Sequence, residues 1–139
     1  MRRTVRSGFT LIELLLVVVI IGILAAIVVP KLAGKTEDAR IGSTVAQMKI
    51  IQDALTRFEL DNGKYPTQDQ GLMALIEMPT AAPVPKKWTK ALEARELPKD
   101  GWGNEFEYRY PGTVNIDGYD LVSAGPDEQP GNDDDIVKP

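Results

Sequence analysis

The chain of 139 residues contains no cysteine and no histidine. These two absences exclude disulfides, thiol nucleophiles, zinc sites of the usual kind and every mechanism that depends on an imidazole. The chain also lacks a GxxxxGK[ST] loop for the phosphates of ATP. Its formal net charge is −4 and acids crowd the last fifteen residues, which argues against nucleic acid as a partner. A chain of this length can form one modest domain.

One long apolar run lies near the N-terminus. No charged residue stands between positions 14 and 30, and a helix over residues 9–30 would be about 33 Å long, against a bilayer core of about 30 Å. Three arginines precede the run and favour a cytoplasmic N-terminus, although Lys31 and Lys35 on the far side weaken that signal. We therefore expect a transmembrane helix over residues 9–30, with the rest of the chain on the outer side of the membrane.

An ordinary secretory signal peptide is the alternative interpretation of this region. The run LLLVVVIIGILAAIVV is longer than the apolar part of a typical signal peptide, and no A-x-A-like cleavage site precedes Pro30. Glu13 would also lie inside the apolar part, where an acid serves no purpose in export. The sequence therefore favours a segment that is retained.

The stretch RSGFTLIELLLVVVIIGILAAIVVP resembles the class III signal of type IV pilin-like proteins. That signal is a short basic leader ending in glycine, followed by phenylalanine and by an acid as the fifth residue of the mature chain, and here Gly8, Phe9 and Glu13 match it. The resemblance implies that a prepilin peptidase in the inner membrane removes residues 1–8 on the cytoplasmic side. It also implies methylation of the new N-terminus at Phe9.

Glu13 is the one acid in the apolar run. A carboxylate in hydrocarbon costs about 2.5–3.5 kcal/mol even on the gentler scales. Cleavage before Phe9 creates a cationic amine one helical turn away, and the amine of a neighbouring subunit could approach the same carboxylate. Our hypothesis is that Glu13 is compensated in a filament and thereby drives assembly. The alternative is that it lies near the membrane interface and reaches the headgroups.

The sequence after the apolar run predicts an amphipathic helix. Apolar residues recur there at three- and four-residue spacing, and the helix should end at Asn62 and Gly63. The predicted apolar face consists of Ile41, Val45, Met48, Ile51, Leu55 and Phe58.

The remaining sequence predicts a short helix and late strands. Thr67 and Gln70 are spaced as a capping box at the start of the short helix. Alternating residues predict one strand over residues 105–110 and a second within residues 118–125. The expected fold class is α+β: a long N-terminal helix, apolar in its first half and amphipathic in its second, packed on a small head with a short helix and antiparallel strands.

Three further stretches are similar to the G-type major pseudopilin of the type II secretion system, within the type IV pilin-like superfamily. They are DNGKYPTQDQGL, WGNEFEYRYPG and the terminal acidic loop. The chain departs from that family in two places. Gly101 stands where the family usually has proline, which should loosen a turn slightly, and the sequence ends in DIVKP without the common Asn-Trp. The resemblance implies a leader over residues 1–8, a transmembrane and filament-core helix over 9–30, and a periplasmic head over 31–139.

This resemblance implies a structural subunit and not an enzyme. Copies of the chain would polymerise into a helical filament, the periplasmic pseudopilus, which supports export of folded proteins across the outer membrane. Implied partners are minor pseudopilins, the prepilin peptidase, an inner-membrane assembly platform and, before assembly, inner-membrane lipid. A type IV pilus pilin serving adhesion, motility or DNA uptake is the alternative from the same superfamily. A membrane-tethered hydrolase with a metal in the acidic tail is the alternative from another class.

The segment SAGPDEQPGNDDDI, residues 123–136, carries five acids among turn residues. Carboxylates together with carbonyls suit a hard divalent cation, but the spacing does not fit an EF-hand and composition alone leaves a solvated acidic tail open. The resemblance implies calcium as a cofactor in this loop. The ligands it implies are the side chains of Asp127, Asp134 and Asp135 and the main-chain carbonyls of Ala124 and Asn132.

Overall fold

The computed structural model describes the backbone of residues 9–138 and the side chains of residues 9–27 and 35–137. The predicted leader over residues 1–8, with Gly8, lies outside the described residues. Helix α1 covers Leu11–Asn62 and a short 3₁₀ helix covers Leu72–Leu75. Strands β1, Glu107–Arg109, β2, Asp120–Ser123, and β3, Ile136–Lys138, form an antiparallel sheet in the order β1-β2-β3. The predicted α+β fold is confirmed.

The chain divides into two units, residues 1–36 and 37–139. In the first unit, the large apolar side chains from Leu11 to Ile27 are all about half exposed or more. Among the described residues, no helix combines the length and the apolar character needed to cross a membrane. Part of the 9–30 segment lies outside the described side chains, so the transmembrane helix stays a prediction.

The second unit contains a buried core built on one face of α1. Met48, Ile51, Leu55 and Phe58 are almost completely buried, as the three- and four-residue spacing predicted. Their partners include Leu75 of the 3₁₀ helix and the inward residues of the sheet. The first two members of the predicted face, Ile41 and Val45, are instead 37% and 38% exposed, so the prediction was wrong for them.

Thr44, and not an apolar residue, makes the close contact at that level of the helix. Its hydroxyl donates to the carbonyl of Arg40 at 2.9 Å and accepts the N–H of Gly101 at 2.8 Å. A Cβ on Gly101 would overlap the carbonyl oxygen of Arg40 and lie 2.8 Å from its Cα. The expectation that Gly101 loosens a turn was therefore wrong, because glycine is what lets this loop touch the helix backbone.

Buried Asp100 fixes the turn that carries Gly101. One of its carboxylate oxygens accepts the N–H groups of Trp102 and Asn104 at 3.0 and 2.8 Å, and the other accepts the hydroxyl of Ser123 at 2.7 Å. Ser123 is the last residue of β2 and is fully buried. The turn is thus tied to α1 on one side and to the sheet on the other.

The predicted capping box is present between α1 and the 3₁₀ helix. The N–H of Thr67 donates to Gln70 Oε1 at 3.0 Å, and the N–H of Gln70 donates to Thr67 Oγ1 at 3.3 Å. The chain there forms only a turn, and after Gly71, at φ +57°, it continues as the 3₁₀ helix. The short helix is therefore shorter than the box suggested.

Candidate functional site

Two of the predicted functional residues lie at the start of α1: Phe9 precedes the helix and Glu13 is in its first turn. Thr10 precedes the helix, and its N–H and hydroxyl donate to Glu13 Oε2 at 2.7 and 2.8 Å. The N–H of Glu13 donates back to Thr10 Oγ1 at 3.3 Å. This is a reciprocal capping box, which satisfies two donors that the start of a helix otherwise leaves free. The Glu13 carboxylate is therefore held against Thr10, the residue next to Phe9, which is the predicted mature N-terminus.

The residues T-x-x-E at positions 10–13 signal this cap in the sequence, independently of the pilin-like motif that pointed to Glu13. Phe9 is 84% exposed, and the side chains that follow Glu13 along the helix are exposed as well. The capping box accounts for the orientation of the carboxylate. It does not account for the exposed apolar surface around it.

The second candidate site is the acidic loop between β2 and β3, residues 124–135. Pairing of Ser123 with Ile136 closes the loop at its base. Gly125 has a φ of +65°, and a Cβ there would overlap the carbonyl oxygen of Asp134. A left-handed backbone and a close approach both require glycine at this position. The loop is curled, and the predicted ligands Ala124, Asn132 and Asp134 all lie in it.

Three hydrogen bonds to carboxylates of this loop come from within the loop itself. Asp127 accepts the N–H of Gln129 at 2.9 Å and the side-chain amide of Asn132 at 2.6 Å. Asp135 Oδ2 accepts the N–H of Gly131 at 2.8 Å. The other oxygen, Asp135 Oδ1, is buried and has no hydrogen-bond partner. A buried carboxylate oxygen without a donor is unfavourable, and a bound cation is one way to compensate it.

The donor chemistry of the loop thus fits a calcium ion in part. The five predicted ligands share one closed loop, and Asp135 offers a free oxygen. Within the part of the chain that is described, no three acidic side chains are grouped in a way that could hold a metal. Calcium accepts carbonyl as well as carboxylate oxygens, so three carboxylates are not a requirement. The calcium site stays a prediction.

Strand β2 begins with a buried acid that the sequence analysis missed. Asp120 is fully buried. Its carboxylate accepts the N–H groups of Thr113, Val114 and Asn115 at 2.6, 2.9 and 2.9 Å and the hydroxyl of Thr113 at 2.8 Å. Burial alone would raise the pKa of Asp120, but these hydrogen bonds outweigh burial and lower the pKa to about 2. No sequence signal distinguishes this acid from an exposed strand residue.

Comparison with known proteins gives two family matches. The family described as type II secretion system protein G matches residues 31–138, and the prokaryotic N-terminal methylation motif matches residues 3–29. The type II secretion system core protein G of Pseudomonas aeruginosa is 45% identical over 134 residues, which cover 96% of this chain and 93% of that protein. The protein of the same name from Escherichia coli K12 is 44% identical over 95% of this chain and 90% of its own length.

A solved structure agrees with these matches. The crystal structure of the major pseudopilin from the type 2 secretion system of enterohaemorrhagic Escherichia coli is similar, with a TM-score of 0.66 and 34% identity, over 75% of this chain and 86% of that one. A long N-terminal helix, a small antiparallel sheet and a matched methylation motif define a type IV pilin-like subunit. The chain belongs to the type II secretion system protein G family, and it is a subunit of the pseudopilus in type II secretion.

Proposed function

We propose that copies of this chain polymerise into the helical filament of a periplasmic pseudopilus, whose growth supports export of folded proteins across the outer membrane. One observation carries the proposal. From Leu11 to Ile27 the first part of α1 exposes an apolar side chain at nearly every position. Exposed apolar surface of this extent marks a membrane or protein interaction site. Lipid before assembly and the helices of other copies after it would both cover these side chains.

The N-terminal motif supports maturation by a prepilin peptidase. Cleavage after Gly8 would remove the basic leader and leave Phe9 as a methylated N-terminus. The subunit would then remain in the inner membrane with its N-terminus cytoplasmic and its head periplasmic until an inner-membrane platform adds it to the filament. Minor pseudopilins are the further partners we propose. The role is structural, with no catalysis by this chain, and the energy for assembly comes from another protein.

Expression in cells that carry a type II secretion system without its own G subunit tests this function. We expect N-terminal sequencing to find Phe9 first, electron microscopy of sheared cells to find thin filaments, and secretion of folded exoproteins to be restored. A type IV pilus pilin would instead give surface pili without restoring secretion. Mature protein that forms no filaments and restores no secretion would contradict the proposal.

Within this function, Glu13 is proposed to pair with the N-terminal amine of a neighbouring subunit. The capping box holds the Glu13 carboxylate at the start of α1, against the residue that follows Phe9. An acid that is costly in lipid alone and compensated by a neighbour favours assembly and fixes the register between subunits.

Glu13→Gln separates the charge of Glu13 from its capping role. Glutamine also completes a capping box, so the first turn of α1 should be preserved while the negative charge is lost. We expect the variant to be cleaved and inserted but to yield about tenfold fewer filaments than the unchanged chain, because an interaction of about 1.4 kcal/mol per subunit is removed. Glu13→Ala loses both the charge and the cap, so its filament yield should be no higher than that of Glu13→Gln. Normal filament yield from Glu13→Gln would show that the carboxylate serves only as a cap.

We further propose that the acidic loop holds a structural calcium ion. The ligands would be the side chains of Asp127, Asp134 and Asp135 and the carbonyls of Ala124 and Asn132. The unpartnered Asp135 Oδ1 and the closed, curled loop support this assignment. A bound divalent cation would offset the repulsion among the acids and fix the loop between β2 and β3.

Thermal melts of the head without residues 1–30 test the calcium site. Calcium at about one hundred times its dissociation constant should stabilise the head by about 2.7 kcal/mol, which is about 10–20 °C for a domain of this size. Asp134→Ala should abolish the shift, whereas Asp133→Ala is the control and should keep it, because Asp133 is not among the proposed ligands. Equal melting temperatures in calcium and in chelator would contradict the site.

A further inference from the structure

The loop between β1 and β2 presents two apolar side chains to solvent. Val114 is 69% exposed and Ile116 is 78% exposed, and they stand two positions apart in residues 111–118. Loop tips are usually polar, and an exposed pair of branched apolar side chains suggests a surface that is covered in an assembly.

This loop is held in a single shape. Four hydrogen bonds from Thr113, Val114 and Asn115 end on the buried carboxylate of Asp120. The N–H of Gly112 also donates to the carbonyl of Gly118 at 2.9 Å, which closes the base of the loop. A loop that is fixed in advance loses little conformational entropy when it docks. The hydrogen bonds of Val114 and Asn115 would therefore lower the entropy cost of docking through this loop.

The same head contains a partly apolar cavity. It has a volume of about 500 Å³ and lies where the end of α1 meets the proline-rich segment, with Phe58, Pro83 and Val84 among its apolar lining. Its volume is in the range of pockets that take a ligand. Three lysines, Lys64, Lys86 and Lys87, and one acid, Asp61, also line it, so the charged lining is net positive.

The loop and the cavity are complementary in charge as well as in polarity. Asp117 follows Ile116 directly and is exposed, and its carboxylate has the opposite sign to the net charge of the cavity. An apolar side chain entering the cavity with an acid at its edge would place that acid among lysines. Charge complementarity of this kind fixes the orientation of docking more than it adds affinity.

We propose that the loop at residues 111–118 of one copy inserts Ile116, supported by Val114, into this cavity of a second copy, with Asp117 against the lysines. The two surfaces are different, so the contact is heterologous and repeats from copy to copy without closing into a dimer. A heterologous contact forms a ring when its rotation closes and a helical filament when it does not, so this contact is compatible with the proposed filament. The inference rests on the proposed polymerisation and identifies a head-to-head contact within it.

Disulfide cross-linking tests the contact in the full chain without competing cysteines in the chain itself, because the sequence contains none. One chain carries Ile116→Cys, and a second chain, distinguished by a size tag, carries Val84→Cys. Both are expressed together in cells that assemble the filament, followed by mild oxidation. We expect a cross-linked dimer that contains one chain of each size. The control pair combines Val84→Cys with Met78→Cys, since Met78 is 54% exposed but does not line the cavity, and it should give no dimer.

Each outcome of the cross-linking has a defined meaning. Dimers from Ile116→Cys alone would mean that two loops meet symmetrically, which overturns the proposal. Filaments without the mixed dimer, or a cross-link to a different protein, overturn it too, and polymerisation then stands without this contact. If the unsubstituted chain forms no filaments in the same cells, the proposed polymerisation is contradicted. The proposed contact, which depends on polymerisation, is then contradicted as well.

Ile116→Ser gives a second readout. The side chain is exposed in the single subunit, so the melting temperature of the head should not change. Filament yield should fall by about tenfold or more, because a buried side chain of this size contributes at least that factor to an association constant. Met78→Ser is the matched control and should leave the yield unchanged. Equal yields from both variants would overturn the proposed contact.

Discussion

Asp120→Ala is expected to lower the free energy of unfolding of the head by about 3 kcal/mol, and its melting temperature by about 15 °C. The buried carboxylate is the acceptor for four hydrogen bonds from Thr113, Val114 and Asn115. Alanine would leave those donors without an acceptor and a small cavity in place of the carboxylate. Thermal melts of the head without residues 1–30 measure the loss. A change below about 1 kcal/mol would mean that water replaces the carboxylate without cost.

The effect of Asp120 should also depend on pH in a defined direction. Its pKa is lowered from 3.8 to about 2, so its stabilising contribution is fully present above 3.8 and is lost as the pH falls through about 2. Asp120→Asn is the matched control, because it keeps the shape of the side chain but cannot carry the charge. Arg109 lies opposite Asp120 in the sheet and forms an ion pair with Glu107. We expect this pair to persist in Asp120→Asn, so that the titration of Glu107 contributes equally to both proteins.

The difference in melting temperature between the unchanged head and Asp120→Asn should therefore be constant between about pH 7 and pH 5 and shrink below about pH 4. A difference that is the same at pH 2 as at pH 7 would show that the charge of Asp120 contributes nothing. A difference that grows as the pH falls would mean that folding raises the pKa of Asp120 and does not lower it.

Local patterns predicted the helical part of the fold well. Residues that repeat every three or four positions, such as Met48, Ile51 and Leu55, must lie on one side of a helix, and turn residues after Asn62 end it. The spacing of Thr67 and Gln70 likewise predicted the two hydrogen bonds that join them. These features depend on neighbours in the chain, which a sequence shows directly.

Features that depend on distant partners were missed. Strand β3, Ile136–Lys138, is too short to show alternation, and it exists because it pairs with β2 across the acidic loop. The role of Asp120 follows from hydrogen bonds to a loop whose shape the sequence does not reveal. The cap at the helix start is a different case, because Thr10 and Glu13 are close in the chain: the sequence analysis used only the family motif there and overlooked the T-x-x-E signal.

Gly101 shows how a resemblance can mislead at one position. Proline is usual there in the family, and glycine would suggest a looser turn. In this chain the N–H of Gly101 donates to Thr44 Oγ1 at 2.8 Å, and proline has no N–H to donate. Any side chain at this position would also meet the backbone of Arg40. The position is thus adapted to a close contact with α1.

We therefore expect Gly101→Pro to lower the free energy of unfolding by about 3 kcal/mol, with about 1 kcal/mol from the lost hydrogen bond and the rest from the overlap with the helix. Gly101→Ala keeps the N–H, so it should lose only the stability that the overlap with the helix costs. Gly42→Ala is the control, and it should raise the free energy of unfolding. A Cβ at Gly42 meets nothing within 4 Å, and alanine favours a helix over glycine by up to about 1 kcal/mol.

A double-mutant cycle with Thr44→Val isolates the hydrogen bond from the overlap. Valine removes the acceptor, so in that background the change to proline at position 101 no longer breaks a hydrogen bond and should cost about 1 kcal/mol less than in the unchanged head. Urea unfolding of the four proteins measures the coupling. Additive effects would show that Thr44 and Gly101 act independently, and the close contact between the loop and α1 would then rest on shape alone.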